Sequence, residues 1–338
     1  MTAFKDVKMK EWKVCAVVPT YNRKELVTEC LECILAQTYP VESIVLIDNV
    51  STDGTHEYLE QKGLLANSKI EYTRLPPPNK GSAGSYYEGM KRAQDKDVDF
   101  VWLMDDDTFP KETCLEKLLE ANEIVEAAGE KASFFASAVY TITGKPSNFV
   151  TVDTLSDETG RCHFWYKYLA KGLVGINCAT ACSILIRKEA IVRCGNYCKH
   201  YFMWGDDTEY TMRLCMYFGN AYFVGASVAI HRKVEKVPGE WNETDKTRLK
   251  NQFYLYRNNF VNSRKYRKGK PFKQFVRNCL TCLHLFGKPN GLYLAYLRMK
   301  GFIAFLFCYK RFSRYIENEL EQGRKAWEEQ YGAKDAGV

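Results

Sequence analysis

Three aspartates stand in a row at Asp105, Asp106 and Asp107, directly after the apolar-leaning run "VWLM". Adjacent carboxylates repel one another, so the crowding calls for a positive partner. If the chain is extended there, Asp105 and Asp107 face one way and Asp106 the other. Two hard oxygen donors on one side suit Mg²⁺ or Mn²⁺, which in turn bridges phosphate oxygens. A solvated acidic turn, capping a helix that starts near Lys111, is the plainer alternative.

A second acidic group lies in "YFMWGDDTEYTMR" (201–213). Asp206, Asp207 and Glu209 open an amphipathic helix, and capping accounts for one of them. It does not account for two adjacent Asp behind Trp204 and Gly205. Glycine permits close approach of backbone to a ligand, and tryptophan offers an apolar platform on which sugars stack. A carboxylate here can serve as general base on a hydroxyl. His231, at the end of the apolar strand "FVGASVAI", reads either as a structural histidine or as a metal ligand. "NKGSAGS" (79–85) matches neither the P-loop nor the dinucleotide fingerprint, and no GxGxxG follows the first strand. A nicotinamide or flavin enzyme is thereby disfavoured.

The elements that position these groups alternate. "VCAVVPT" (14–20), "ESIVLIDN" (42–49), "IEYTRLP" (70–76) and "DFVWLMDDD" (99–107) read as strands. Helical patterns lie between them at 23–37, 52–63 and 81–95. The alternation predicts right-handed βαβ units and an α/β fold, with a mostly parallel sheet covered on both faces. Ligands of such sheets bind at the carboxyl ends of the strands. Polar chemistry collects there: Thr20-Tyr21-Asn22-Arg23, Asp48-Asn49 and the aspartate triplet. Beyond about residue 130 the pattern is mixed, and from about residue 245 it is helical and basic. The expected division is a catalytic domain over 1–235 and a helical, basic, aromatic C-terminal region over 236–338.

With 46% hydrophobic and 26% charged residues, disorder is not the default for this chain. The net charge of +7 is unevenly spread, being concentrated from Lys246 to Arg277 among Phe and Tyr. Such a stretch suits a phospholipid leaflet, a pyrophosphate-bearing substrate or nucleic acid. The start "MTAFKDVKMKEWK" has no apolar core of a signal peptide. The 13 cysteines fit a reduced, cytosolic protein with free thiols. Cys30/Cys33 and Cys279/Cys282 are CxxC pairs too far apart in sequence for a compact zinc finger, and core packing is the better account. No transmembrane helix is expected, because no run reaches roughly 18 apolar residues. "GLYLAYLRMKGFIAFLFCYKRF" (291–312) reads as an interfacial anchor or as a buried helix.

Taken together, "VVPTYNR" (17–23), "IDNVSTDGT" (47–55), "NKGSAG" (79–84), "MDDD" (104–107), "ILIRKEAI" (184–191), "WGDDTEYTMR" (204–213) and "AIHRK" (229–233) resemble a family 2 glycosyltransferase of the GT-A fold. The resemblance is greatest to the galactofuranosyltransferase and rhamnosyltransferase branch. It implies that Pro19, Thr20, Asn22, Arg23, Asp48 and Asn49 hold the nucleotide, with Gly81, Ser82 and Asp106 near it. Asp105, Asp107 and His231 would hold Mn²⁺ or Mg²⁺. Asp207 would be the catalytic base, and Trp204, Asp206 and Glu209 would shape the acceptor site. Gly205, inserted between the Trp and the Asp pair, departs from the galactofuranosyl pattern and leaves the sugar open.

The implied activity is inverting transfer from UDP-galactofuranose to a bacterial surface glycan or its lipid-pyrophosphate-linked precursor, at the cytoplasmic face of the membrane. Transfer from dTDP-rhamnose is the alternative. A nucleotidyltransferase would carry a Gly-rich, basic loop where "PTYNRKE" stands, and no recognised nucleic-acid module occupies 246–277; nucleic acid is not an expected partner.

Overall fold

The computed structural model describes residues 10–155, 164–232, 239–267 and 270–332. Residues 1–9, with most of the N-terminal stretch, lie outside the described residues, as do Lys233 of "AIHRK" and residues 268–269 of the basic segment.

Four parallel strands form as the alternation predicts: β1 (Val14–Thr20), β2 (Ser43–Asp48), β3 (Ile70–Arg74) and β4 (Phe100–Leu103), in the spatial order β3-β2-β1-β4. Helices α1 (Lys24–Leu35), α2 (Thr55–Gln61) and α3 (Gly81–Gln94) connect them. Alternate residues of β1 enter opposite cores, as a sheet buried on both faces requires. Val14, Ala16 and Val18 pack with Val27, Leu31 and Ile34 of α1. Cys15 and Val17 pack with Tyr86, Met90 and Ala93 of α3.

The sheet continues past β4 through elements with mixed directions: β5 (Thr108–Pro110), α4 (Cys114–Glu126), β6 (Phe134–Thr141), β7 (Val150–Val152), β8 (Leu173–Ala179), β9 (Ile184–Arg187), α5 (Lys188–Cys194), α6 (Asp206–Tyr217) and β10 (Ala221–His231). Their order is β4-β9-β6-β10-β8-β7, with β5 paired to β10 alone. The β5–β10 pairing sets His231 opposite Thr108, and the amide of Arg232 donates to the Asp107 carbonyl at 2.8 Å. This short antiparallel pair, with the parallel β6–β10 ladder that sets His231 opposite Thr141, fixes a histidine far along the chain beside the aspartates.

The fourth strand is shorter than expected. It ends at Leu103, and the three aspartates occupy a turn closed by the Thr108 amide on the Asp105 carbonyl at 3.1 Å. The strand alternation expected of Asp105, Asp106 and Asp107 therefore does not hold.

Three helices complete the chain: α7 (Lys246–Tyr266), α8 (Pro271–His284) and α9 (Gly291–Tyr331). At 41 residues α9 spans about 60 Å. By length and composition it contains a stretch able to cross a membrane, against the expectation of none. Its far end is part of the sheet domain's core, where Trp327 joins Ile191 and Leu214. Close approach of α9 to α5 depends on Gly323, where a Cβ would lie 2.5 Å from the Arg193 carbonyl oxygen and 2.6 Å from that of Val192. Because backbone cannot yield as a side chain tip can, Gly323→Val is expected to destabilise the fold by roughly 1–3 kcal/mol. A lowered urea midpoint at unchanged slope is the measurement; an unchanged midpoint would mean that α9 is not held there.

Candidate active site

The acidic turn at the end of β4 is held from several sides. Thr20, the last residue of β1, donates its hydroxyl to Asp106 at 2.8 Å. Arg23 Nη1 reaches both Asp106 Oδ1 and Asp107 Oδ2 at 2.8 Å. Burial pushes the Asp106 carboxyl up to about 6, with the Asp107 charge adding to it and Arg23 and Thr20 opposing it. Burial works against the charge on Arg23 as well, but Asp106 and Asp107 more than offset it and raise the guanidinium's pKa.

The other two aspartates reach toward β10. Asp105 accepts from the Tyr86 hydroxyl at 2.7 Å and from the Cys182 thiol at 3.1 Å. His231 Nε2 lies 2.9 Å from Asp107 Oδ1, and its Nδ1 lies 3.1 Å from the Ser147 hydroxyl. Asp105, Cys182 and His231 each offer a ligand atom within 4.8 Å of the others. A carboxylate, a thiol and an imidazole thus meet in one place, with Asp107 adjoining through His231, and such a donor set can hold a divalent cation. Cys182 and Tyr86 were not anticipated, since nothing in their local spacing marks them.

The loops after β1 and β2 are stitched together. Asp48 stands opposite Thr20 in the ladder, one step past the Pro19–Ile47 pair. It accepts from the Ser51 amide at 2.7 Å and the Tyr72 hydroxyl at 2.6 Å. Asn22, at φ 53°, accepts from the Thr52 amide at 2.7 Å. Asn49 ties this corner to the next turn, donating to Asn79 Oδ1 at 3.0 Å and to the Gly81 carbonyl at 3.1 Å. Gly81 has φ 70°, and a Cβ there would sit 1.9 Å from the Phe202 carbonyl oxygen, so no other residue fits. Ser82 follows, half-buried in the first turn of α3.

Phe202 leads into the second acidic group. Trp204 and Gly205 both take positive φ, 56° and 86°, and α7 fixes them there. Asn258 donates to the carbonyls of Met203 at 2.9 Å and Trp204 at 2.7 Å. Asn262 donates to the Gly205 carbonyl at 2.8 Å and accepts from the Tyr201 hydroxyl at 2.6 Å. Both asparagines are buried. Their spacing of four in a helical stretch was the signal available in sequence, and it was missed.

Asp206 and Asp207 open α6. Asp206 is buried, and burial followed by the Asp207 charge pushes its carboxyl well above the usual range. Asp207 is half-buried and accepts from the Thr208 amide at 2.7 Å. Burial, with the Asp105 charge adding and the Thr208 bond opposing, pushes it up to about 6.

Glu209 does not join them. It is fully buried, accepts from Arg213 Nε at 3.0 Å and Nη2 at 2.9 Å, and also takes the Tyr266 hydroxyl. The expectation that it shapes the acceptor site does not fit this placement; its carboxylate neutralises a buried guanidinium and anchors α7 to α6. Glu209→Gln strands that charge and is expected to cost about 3–5 kcal/mol of stability. Thermal unfolding measures it, and an unchanged midpoint would return Glu209 to the list of acceptor groups.

The chain has relatives among known proteins. Residues 15–191, just over half of the chain, match the model of glycosyl transferase family 2. The chain belongs to that family. TuaG of Bacillus subtilis, a glycosyltransferase assigned to teichuronic acid biosynthesis, is 32% identical over 114 residues, 33% of this chain and 43% of TuaG. The galactofuranosyltransferase GlfT1 of Mycolicibacterium smegmatis is 32% identical over 101 residues, 30% of this chain and 32% of GlfT1. The hyaluronan synthase of Streptococcus pyogenes is 29% identical over 229 residues, 61% of this chain and 50% of the synthase. The chain therefore spans between about a third and a half of these family 2 relatives. Among solved structures, GalNAc-T7 with UDP, GalNAc and Mn²⁺ superimposes with a TM-score of 0.55 at 16% identity, covering 91% of this chain and 58% of that one. The family 2 chain thus has the GT-A architecture.

Proposed function

We propose that this family 2 protein is an inverting, metal-dependent hexosyltransferase. Its best donor is UDP-galactofuranose, and its acceptor is a sugar hydroxyl on a bacterial surface glycan or a lipid-pyrophosphate-linked precursor at the cytoplasmic face of the membrane. The observation that carries this reading is the division of carboxylates into two sets at one end of the sheet. Asp105 and Asp107 lie with His231 on one side, and Asp206 and Asp207 lie at the head of α6 on the other. The relatives in envelope-glycan synthesis and the UDP and Mn²⁺ of the GT-A neighbour support it.

Asp105, Asp107 and His231 would hold Mn²⁺ or Mg²⁺, which supplies positive charge against the diphosphate of the leaving nucleotide. The nucleotide would be seated by Pro19, Thr20, Asn22, Arg23, Asp48 and Asn49, with Gly81, Ser82 and Asp106 at its border. The acceptor would lie against Trp204, with Asp206 beneath it. Asp207 is the more exposed of the α6 pair, and it takes the hydroxyl proton as that oxygen attacks the anomeric carbon. The bond from that carbon to the diphosphate breaks, and the nucleotide leaves on the opposite side. A single displacement needs one base and no enzyme nucleophile.

Asp207→Asn is expected to abolish transfer while leaving UDP and Mn²⁺ binding nearly intact; substantial residual transfer would sink the base assignment. Only the ionised carboxylate accepts a proton, so in the parent kcat/KM should rise with pH, tenfold per unit, and level off at or below about 6. A cation neutralising Asp105 removes one cause of the raised value, so about 6 is the upper bound.

Asp107→Ala is expected to weaken Mn²⁺-dependent UDP binding by calorimetry on the order of tenfold or more. Equal UDP affinity with and without Mn²⁺, in parent and variant alike, would remove these ligands from the reading. A screen of UDP-galactofuranose, UDP-hexopyranoses and dTDP-rhamnose with Mn²⁺ decides the donor. A thermal shift confined to dTDP-rhamnose would make this a rhamnosyltransferase.

A further inference from the structure

The helix α8 is turned inside out. Its buried positions are Gln274 and Asn278, one turn apart, while Phe272, Leu280 and Leu283 are 76%, 62% and 66% exposed. Gln274 reaches the Phe260 carbonyl at 3.5 Å, and Asn278 reaches the Met299 sulfur at 3.2 Å. Among the described residues their amide oxygens, Gln274 Oε1 and Asn278 Oδ1, are buried without a hydrogen-bond partner. A surface helix in water does the reverse, burying its apolar stripe. Here the polar side faces protein and the apolar side faces out.

The neighbouring helix extends the same face. Contacts of Asn278 with Met299 and of Cys282 with the Ala295 carbonyl show α8 and α9 packed antiparallel. Along α9, Leu292, Tyr296, Ile303 and Phe307 recur at helical spacing and are exposed, Phe307 at 85%. The inner side of α9 is spent on the protein through Leu294, Leu297, Phe302, Phe305 and Phe312. The helix therefore lies along the molecule and does not stand free to cross a bilayer. More than half of the large hydrophobic side chains exposed among the described residues fall between 272 and 307.

The charge carried by this stretch of helices has one sign. Residues 246–316 contain seventeen Lys and Arg and no Asp or Glu, so the rest of the chain is net negative. Lys273, Arg277, Lys288, Lys300 and Lys310 are exposed beside the apolar residues. A second copy of the chain would set this positive field against itself. Nucleic acid would satisfy the cations and leave Phe272 and Phe307 in water. An anionic bilayer meets both demands, with acyl chains for the apolar stripe and head groups for the cations.

We infer that the outer faces of α8 and the first half of α9 form a docking surface for anionic phospholipid, on which the protein lies. The inference gives the membrane-face acceptor proposed above a matching surface on the protein and does not depend on the transfer chemistry. Flotation of the full chain with vesicles tests it, using phosphatidylcholine alone and phosphatidylcholine mixed with phosphatidylglycerol. The parent is expected to float with the mixed vesicles, to be released by salt, and to bind neutral vesicles on the order of tenfold more weakly. Phe272→Ser combined with Leu280→Ser and Phe307→Ser should lose binding by a similar factor, as should Lys273→Gln with Arg277→Gln.

Because these side chains are exposed, the variants should keep the parent's melting temperature and its thermal shift with UDP. That control separates a failed surface from a failed donor site. A parent that stays unbound to both vesicle types overturns the proposal. So does equal binding to both, or a dimer in sedimentation velocity that the apolar substitutions dissociate.

Discussion

Repulsion among carboxylates governs the architecture of this protein. Asp105, Asp106, Asp107, Asp206 and Asp207 crowd one end of the sheet, and the Asp105 charge is felt by both members of the α6 pair. Holding them together costs free energy that the surrounding groups must offset. Arg23 does so for Asp106 and Asp107, the Tyr86 and Cys182 donors serve Asp105, and His231 stands against Asp107. Arg23 stands just before α1, Tyr86 lies on α3, Cys182 lies between β8 and β9, and His231 ends β10, so four separate parts of the chain converge on the turn at residues 105–108.

The C-terminal helices are bound into this organisation. Glu209, Arg213 and Tyr266 join α6 to α7 in a buried polar triad, and Asn258 and Asn262 hold the Trp204–Gly205 backbone in its left-handed conformation. Cooperation among buried hydrogen bonds makes such a joint specific as well as stable. The loop that presents Trp204 is therefore set by residues roughly sixty positions downstream, in a region whose composition suggested only a basic appendage.

What could be read from sequence follows from range. The βαβ alternation, and with it the convergence of Thr20, Asp48 and the aspartates, rests on patterns within a dozen residues of each other and was legible. His231 was legible as a strand end, although the β5–β10 pair that delivers it was not. The side-chain alternation of the aspartates failed because a turn hydrogen bond, not a ladder, governs residues 105–108. Glu209 was misread although its true partner stood four residues on at Arg213, a spacing that favours an ion pair on one helical face. Tyr86, Cys182 and Tyr72 act through tertiary contacts that no local signal encodes.

One backbone oxygen has a reach out of proportion to its size. The Phe202 carbonyl excludes any side chain at Gly81 and accepts the Ala83 amide at 3.1 Å. The turn bearing Asn79 and Gly81 and the loop bearing Trp204 thus share a single pivot. On the proposed reading these would serve opposite substrates, so a nucleotide that tightened the first turn would draw on the second through that pivot. The order in which substrates arrive would then be written into main-chain mechanics, with donor loading setting the stance of the acceptor platform before any sugar touches it.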